Sequence, residues 1–233
     1  MSLKELRRAV YEANMELDRR GLVLYTFGNV SGIDRKRGVL AIKPSGVPYE
    51  DLHPRDMVLV DLENKRVEGK LNPSSDTKTH VVLYRELPSI GGVCHTHSTQ
   101  ATAWCQAARA LPCFGTTHAD YAHGEIPVTE YLSEERVKRD YEEETGHQIM
   151  NVMRGRNPFE TPMILVAGHA PFTWGKDAAQ AVYHAAILEQ LAQMATLTLS
   201  IRADATPLPG HILDKHYLRK HGKNAYYGQN GDH

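Results

Sequence analysis

The sequence predicts an α/β protein: a single domain with a mostly antiparallel central sheet flanked by helices. Three observations predict it. Amphipathic helical spacing opens the chain and returns near its end. Between the two lie short apolar runs separated by Gly- and Pro-rich turns, the mark of strands. The two kinds of segment do not alternate in a regular βαβ rhythm, which argues against a parallel sheet. The 233 residues are 41% hydrophobic and 24% charged, enough for one real core. No internal repeat, low-complexity segment or long linker divides residues 1–233.

Taken in order, Ser2-Leu3-Lys4-Glu5 matches a capping box. Leu3, Leu6, Val10, Ala13 and Leu17 follow at helical spacing, and Gly21 ends the helix. Val23–Phe27, Val39–Lys43 and Met57–Asp61 read as strands. Ser74 to about Leu87 reads as a helix, Gly92–His97 as a strand, Thr99–Arg109 as a helix and Met163–Val166 as a buried strand. A long helix is expected from Asp177 to about Leu197, with Ala181, Val182, Ala185, Leu188, Leu191 and Ala192 on one face. A last helix lies near Ile212–His221, and the small polar tail after about residue 228 is expected to be mobile.

Bulk properties exclude several classes. A net charge of −1 carries no nucleic-acid or membrane-surface footprint. The odd set Cys94, Cys105 and Cys113 has no framework spacing, which points to reduced thiols and a cytoplasmic home. The start of the chain lacks the apolar core of a secretory signal, and no apolar run approaches the roughly 20 residues of a membrane helix.

The most informative motif is His95-Thr96-His97, at the end of the apolar run Ile90–Cys94. Alternate strand residues share a face, so both imidazoles would aim into one space, the usual start of a divalent metal site. His169, at a Gly-rich turn after an apolar strand, is a third candidate ligand, and Asp76 a carboxylate candidate. Each has a plainer reading: hydrogen-bonded strand histidines for the pair, and a helix N-cap for Asp76. His80, one helical turn from Asp76, is read as a surface residue or one standing behind the ligands.

Three segments rich in small residues and donors, Gly28-Asn29, Ser45-Gly46 and Ser74-Ser75, suit an anion, with Lys43 as an added point charge. No P-loop or dinucleotide fingerprint is present. Gly115–Tyr121 gathers Thr116, Thr117, His118 and Asp120, while His216, Tyr217, Tyr226 and Tyr227 offer further proton-transfer groups near the end of the chain. Only convergence in space would raise these above ordinary turns and packing residues.

With the segments lined up, nearly the whole chain resembles the L-ribulose-5-phosphate 4-epimerase family, within the zinc-dependent class II aldolase and epimerase superfamily. The specific blocks are Ile42–Val47, Pro73–Thr77, Gly91–Ser98, Gly115–Tyr121 and Asp214–Gly222. The resemblance implies a class II aldolase-like fold and a homotetramer. It implies one Zn²⁺ per subunit on His95, His97 and His169 with Asp76 at or beside it, other divalent metals being possible. It implies a sugar-phosphate substrate whose phosphate meets Gly28, Asn29, Ser45, Gly46, Ser74 and Ser75. Proton transfer would fall to Asp120 and Tyr227, the latter donated across a subunit interface, with His216 near it. Two positions depart from the family: Phe27 stands for the usual Trp, and Ala167 for a histidine found in several members.

The implied reaction interconverts L-ribulose 5-phosphate and D-xylulose 5-phosphate by cleaving and remaking the C3–C4 bond. Rival readings are a class II sugar-phosphate aldolase or dehydratase of the same superfamily, a metallohydrolase, and a non-enzymatic module like the adducin head.

Overall fold

The computed structural model describes residues 1–223 and 225–227. Helix α1, Leu3–Arg19, begins with the expected capping box: Glu5 N–H donates to Ser2 Oγ at 3.2 Å, and Ser2 N–H to Glu5. Leu6, Val10, Ala13 and Leu17 form its buried stripe. Buried Asn14 then ties the helix to the sheet. Its Nδ2 donates to Val30 O at 3.0 Å, and its Oδ1 accepts from Val30 N–H at 2.9 Å.

One seven-stranded sheet follows. The strands are β1 (Asn29–Asp34), β2 (Val39–Ile42), β3 (Val58–Asp61), β4 (Arg66–Glu68), β5 (Gly92–His95), β6 (Met163–Leu165) and β7 (Pro171–Gly175). Their spatial order is β4-β3-β2-β1-β5-β7-β6, and every neighbouring pair is antiparallel. Alternation splits the side chains between two cores. Val39, Ala41, Leu59 and Cys94 pack with α1 and with α6 (Ala178–Ile201). Leu40, Ile42, Val58, Val60 and Val93 pack with α2 (Thr77–Glu86) and α5 (Glu134–Met153). A third cluster joins α3 (Thr99–Gln106) to α6 and β6. Two elements near the periphery, α4 (Thr116–Ala119) and α7 (Gly210–His221), pack on each other.

This two-sided pattern positions the site. His95 shares the Val93 face, and Asn29 and Ser31 share that of Ile33, so all three point toward α2. In register, Asn29 pairs with His95 and His95 with Phe172, placing three strands side by side at one end of the sheet.

Several boundaries correct the sequence reading. Val23–Phe27 is a turn, with Tyr25 at φ 55° and Leu24 and Tyr25 exposed; the strand is the next segment, Asn29–Asp34. Helix α2 starts at Thr77, so Ser74-Ser75 precedes it by a turn. Strand β5 stops at His95, leaving His97 just past its end. Helix α5 and strand β7 had no counterpart in the sequence reading. The cysteines are free and buried. No helix among the described residues is long and apolar enough to cross a membrane. The tail after residue 228 lies outside the described residues.

Candidate metal centre and active site

His95, His97 and His169 converge although they come from a strand end, the segment after it and a separate loop. Ring centroids lie 4.9 Å apart for His95–His97, 4.9 Å for His95–His169 and 5.2 Å for His97–His169. One ligand atom from each falls within 4.8 Å of the others. Two backbone features bring them together. Gly28 takes φ +72°, and a Cβ there would sit 2.9 Å from the His95 carbonyl oxygen, so β1 can approach β5 only with glycine. Gly168, at φ +69° beside the Tyr131 ring, turns the chain into His169.

The surroundings suit a cation. His95 Nδ1 lies 3.0 Å from Pro171 O, so the ring donates there and Nε2 carries the free lone pair. That Nε2 faces His97 Nε2 at 3.2 Å, a spacing that one shared cation accounts for. Buried His169 Nδ1 has no partner among the described residues. Burial, then the neighbouring imidazoles, push the His169 pKa down to about 4, and the same causes lower that of His97. Both are therefore neutral at pH 7, the form a metal needs. Phe172 stacks on His95 with centroids 4.2 Å apart, fixing that ring from behind. These residues fit a divalent ion.

Asp76 does not cap α2 with its side chain. Its Oδ2 instead accepts from Asn29 Nδ2 at 2.7 Å and lies 4.0 Å from His95 Nε2. Burial raises its pKa, but the His95 and His80 imidazoles and the Asn29 amide lower it further, and the net direction is down. His80 is not a surface residue: it is fully buried, with Nδ1 2.7 Å from Ser31 Oγ, which in turn meets Tyr84 OH at 2.8 Å.

All the candidate ligands and phosphate contacts line one open cavity of about 490 Å³. The donor set differs in detail from the expectation. The Ser45 and Ser74 amides are already used, donating to Asn72 O and Lys43 O at 3.0 Å each. Gly46 and Ser75 amides have no protein acceptor among the described residues, and with the Ser45 and Ser75 hydroxyls they remain for an anion; the Ser74 hydroxyl already donates to Asp76 Oδ2 at 3.4 Å. Lys43 is buried, its Nζ donating to Val47 O at 2.8 Å and lying 4.8 Å from the Tyr49 ring centre; burial pulls its pKa down to about 8. Tyr141 and Glu142 also line the cavity and were missed, because α5 itself was. Helix α5 is broken at Asp140, which ion-pairs with Lys78, and Thr79 Oγ1 donates to Glu142 O at 2.6 Å. The cap Ser133, followed by Glu134-Glu135, was the available signal. Phe27 reaches the same cavity, 6.1 Å from the His97 ring.

Asp120 and Tyr227 do not line this cavity. They form a second cluster where the C-terminal cap of α4 meets α7 and the segment after it. Asp120 accepts from Arg219 Nε at 3.1 Å and Nη2 at 2.7 Å, with His216 Nδ1 at 3.3 Å and Lys220 Nζ at 3.5 Å. Burial raises its pKa, but Arg219, Lys220 and His216 outweigh that and hold the carboxyl below its ordinary value. Tyr227 is about half exposed and lies under the Arg219 guanidinium at 4.8 Å. His216 meets Asp120, and Tyr227 is reached through Arg219. Gly228 and Gln229 lie outside the described residues.

The chain matches the family described as Class II Aldolase and Adducin N-terminal domain over residues 8–196. It is 52% identical over 227 residues to L-ribulose-5-phosphate 4-epimerase UlaF of Salmonella paratyphi A (strain ATCC 9150 / SARB42) and of Salmonella typhi. Those alignments cover 97% of this chain and 100% of each relative. Among solved structures, an L-fuculose 1-phosphate aldolase superposes with a TM-score of 0.78 at 23% identity, covering 93% of this chain and 96% of that one. The L-fuculose-1-phosphate aldolase of Thermus thermophilus gives 0.69 at 24% identity, covering 87% and 98%. At these identities the two aldolases speak for the fold alone.

Proposed function

Because the chain belongs to the class II aldolase and adducin N-terminal domain family, we propose that it epimerises C4 of a pentulose 5-phosphate, interconverting L-ribulose 5-phosphate and D-xylulose 5-phosphate. One observation carries the reading. Three imidazoles meet in a cavity that also holds the donors an anionic group needs. The 52% identity to named 4-epimerases over nearly the full chain selects the substrate.

The C4 hydrogen is not adjacent to the carbonyl and is not acidic, so direct proton abstraction is a poor route. Breaking the C3–C4 bond avoids it: the bonding electron pair passes to the three-carbon fragment, and the C4 hydroxyl gives up its proton to leave glycolaldehyde phosphate. A divalent cation on His95, His97 and His169, with Asp76 beside it, supplies Lewis-acid stabilisation of the developing negative charge, and zinc is the ion best suited to that donor set.

The chain's own residues supply the rest. Gly46, Ser45, Ser74, Ser75, Asn29 and Lys43 hold the phosphate while the aldehyde turns its other face, which keeps the recombination intramolecular. The C4 oxygen then points to opposite sides in the two isomers, so two proton-transfer groups are needed, and Asp120 and Tyr227 take those roles. Neither lines the cavity of its own chain, which supports their donation by a neighbouring subunit. The assembly expected is a homotetramer. Helix α6 leaves Met194, Leu197 and Ile201 exposed, apolar surface of the kind an interface covers. A cytoplasmic location belongs to the same reading.

The direct test mixes purified protein with L-ribulose 5-phosphate and measures D-xylulose 5-phosphate. Epimer formation is expected; accumulation of free aldehyde and ketone instead would convert the assignment to an aldolase.

A further inference from the structure

Arg219 touches both groups to which proton transfer is assigned, and it does so with three different parts of itself. Its edge grips Asp120 through Nε and Nη2 at 3.1 and 2.7 Å. Its guanidinium carbon lies over the Tyr227 ring, 4.8 Å from the ring centre. Its carbonyl accepts from the Tyr226 and Tyr227 amides at 3.0 and 3.2 Å, folding the chain back over the last turn of α7. We propose that Arg219 is a positioning residue that sets the distance and angle between Asp120 and Tyr227. This rests on the epimerase reading of the site.

The geometry gives the physical reason. A guanidinium is planar, bonding in its plane and stacking above it, so one arginine can hold a carboxylate and a phenol ring in roughly perpendicular directions. Asp120 and Tyr227 make no direct hydrogen bond among the described residues; each meets Arg219 instead. That separation is what a reaction with proton transfer on two sides of one aldehyde requires. Lys220 also lies near both, at 3.5 Å from Asp120 Oδ2 and 4.3 Å from the Tyr227 ring centre, but an ammonium is a point charge with no fork. Charge alone is therefore already supplied at this place. What Arg219 adds is shape.

The experiment compares Arg219→Lys and Arg219→Met with wild type. Both variants are expected to lose at least about tenfold in kcat while KM and bound metal stay within about twofold. Combined with Asp120→Asn, the Arg219→Met loss should be much smaller than the product of the two single losses, because one acts through the other. A second readout needs no substrate: chymotrypsin should cut after Tyr226 or Tyr227 faster in Arg219→Met than in wild type, with the cut located by mass spectrometry. Wild-type kcat in Arg219→Lys, fully multiplicative losses, or an unchanged cleavage rate would each overturn the proposal. If wild-type protein fails to convert L-ribulose 5-phosphate, the epimerase reading falls separately, and the cleavage comparison still decides whether Arg219 holds the tail beside Asp120.

Discussion

The Nδ1 of His95 lies 3.0 Å from the carbonyl oxygen of Pro171, and this contact decides what the imidazole can do on its other side. A carbonyl only accepts, so Nδ1 carries the proton and Nε2 presents a lone pair toward His97 Nε2. Without a cation, two imidazole nitrogens 3.2 Å apart share at most one proton. His97→Ala is therefore expected to abolish activity and release the metal, as measured by elemental analysis of dialysed protein. Chelation of wild type should lower its melting temperature, since the ion binds only the folded chain. Wild-type rates in a metal-free His97→Ala protein would remove the metal from the account.

Asn29 bridges Asp76 and Ser74 at 2.7 and 3.1 Å from one amide nitrogen. It joins the carboxylate beside the metal ligands to the hydroxyl expected to meet phosphate. Hydrogen bonds to charged groups are worth about 1.5–3 kcal/mol, so Asn29→Ala should lower kcat/KM by about ten- to a hundredfold. Steady-state kinetics with both epimers would check this; a loss under about twofold would show that Asp76 holds its place unaided.

Two histidines away from the ligand trio report on folding. Burial pushes His80 down to about 3 and His118 down to about 4, well below the unfolded value near 6.5. In that interval the unfolded chain binds protons that the folded chain does not. Stability is then complete above about pH 6.5 and falls as pH drops toward 4, by up to about 1.4 kcal/mol per pH unit for each histidine. Urea midpoints of metal-free protein between pH 7 and 5 should fall accordingly. His80→Phe should flatten the slope even where it lowers the midpoint by leaving Ser31 with one partner fewer.

How much of this was legible beforehand depended on whether a segment's chemistry matched its burial. Helix α1 could be read because capping box, apolar stripe and terminal glycine agree. Strand β1 could not, because Asn29, Ser31 and Gly32 interrupt the apolar alternation. Asn29 and Ser31 are buried only because Ser74, Asp76, His80 and Tyr84 satisfy them. The Val23–Phe27 run imitated a strand through propensity alone; it is a turn with Leu24, Tyr25 and Phe27 exposed and Val23 packed on the core. Helix α5 escaped because its first half is charged and it breaks at Asp140, so Tyr141 and Glu142 went unseen. The ligand and phosphate set was legible as residue types, yet its convergence needed the antiparallel register of β1, β5 and β7.

The separation of the two clusters makes the strongest demand on assembly. Histidine trio and phosphate donors occupy one cavity, while Asp120, at the C-terminal cap of α4, and Tyr227, in the segment after α7, lie outside it. If each working site takes its histidines from one subunit and Tyr227 from the next, His97→Ala and Tyr227→Phe damage different halves. Each protein alone should be nearly inactive, Tyr227→Phe keeping its metal. Reassembled together in equal amounts, the oligomers should contain sites where both halves are intact, about a quarter of the total for random mixing around a closed ring. Activity should therefore rise to about a quarter of wild type, with mixed composition verified by native mass spectrometry. Were the two halves supplied by one subunit, mixing would create no intact site and activity would stay at the level of the parents. Recovery in verified mixed oligomers thus separates a shared site from a self-contained one without a structure of the assembly.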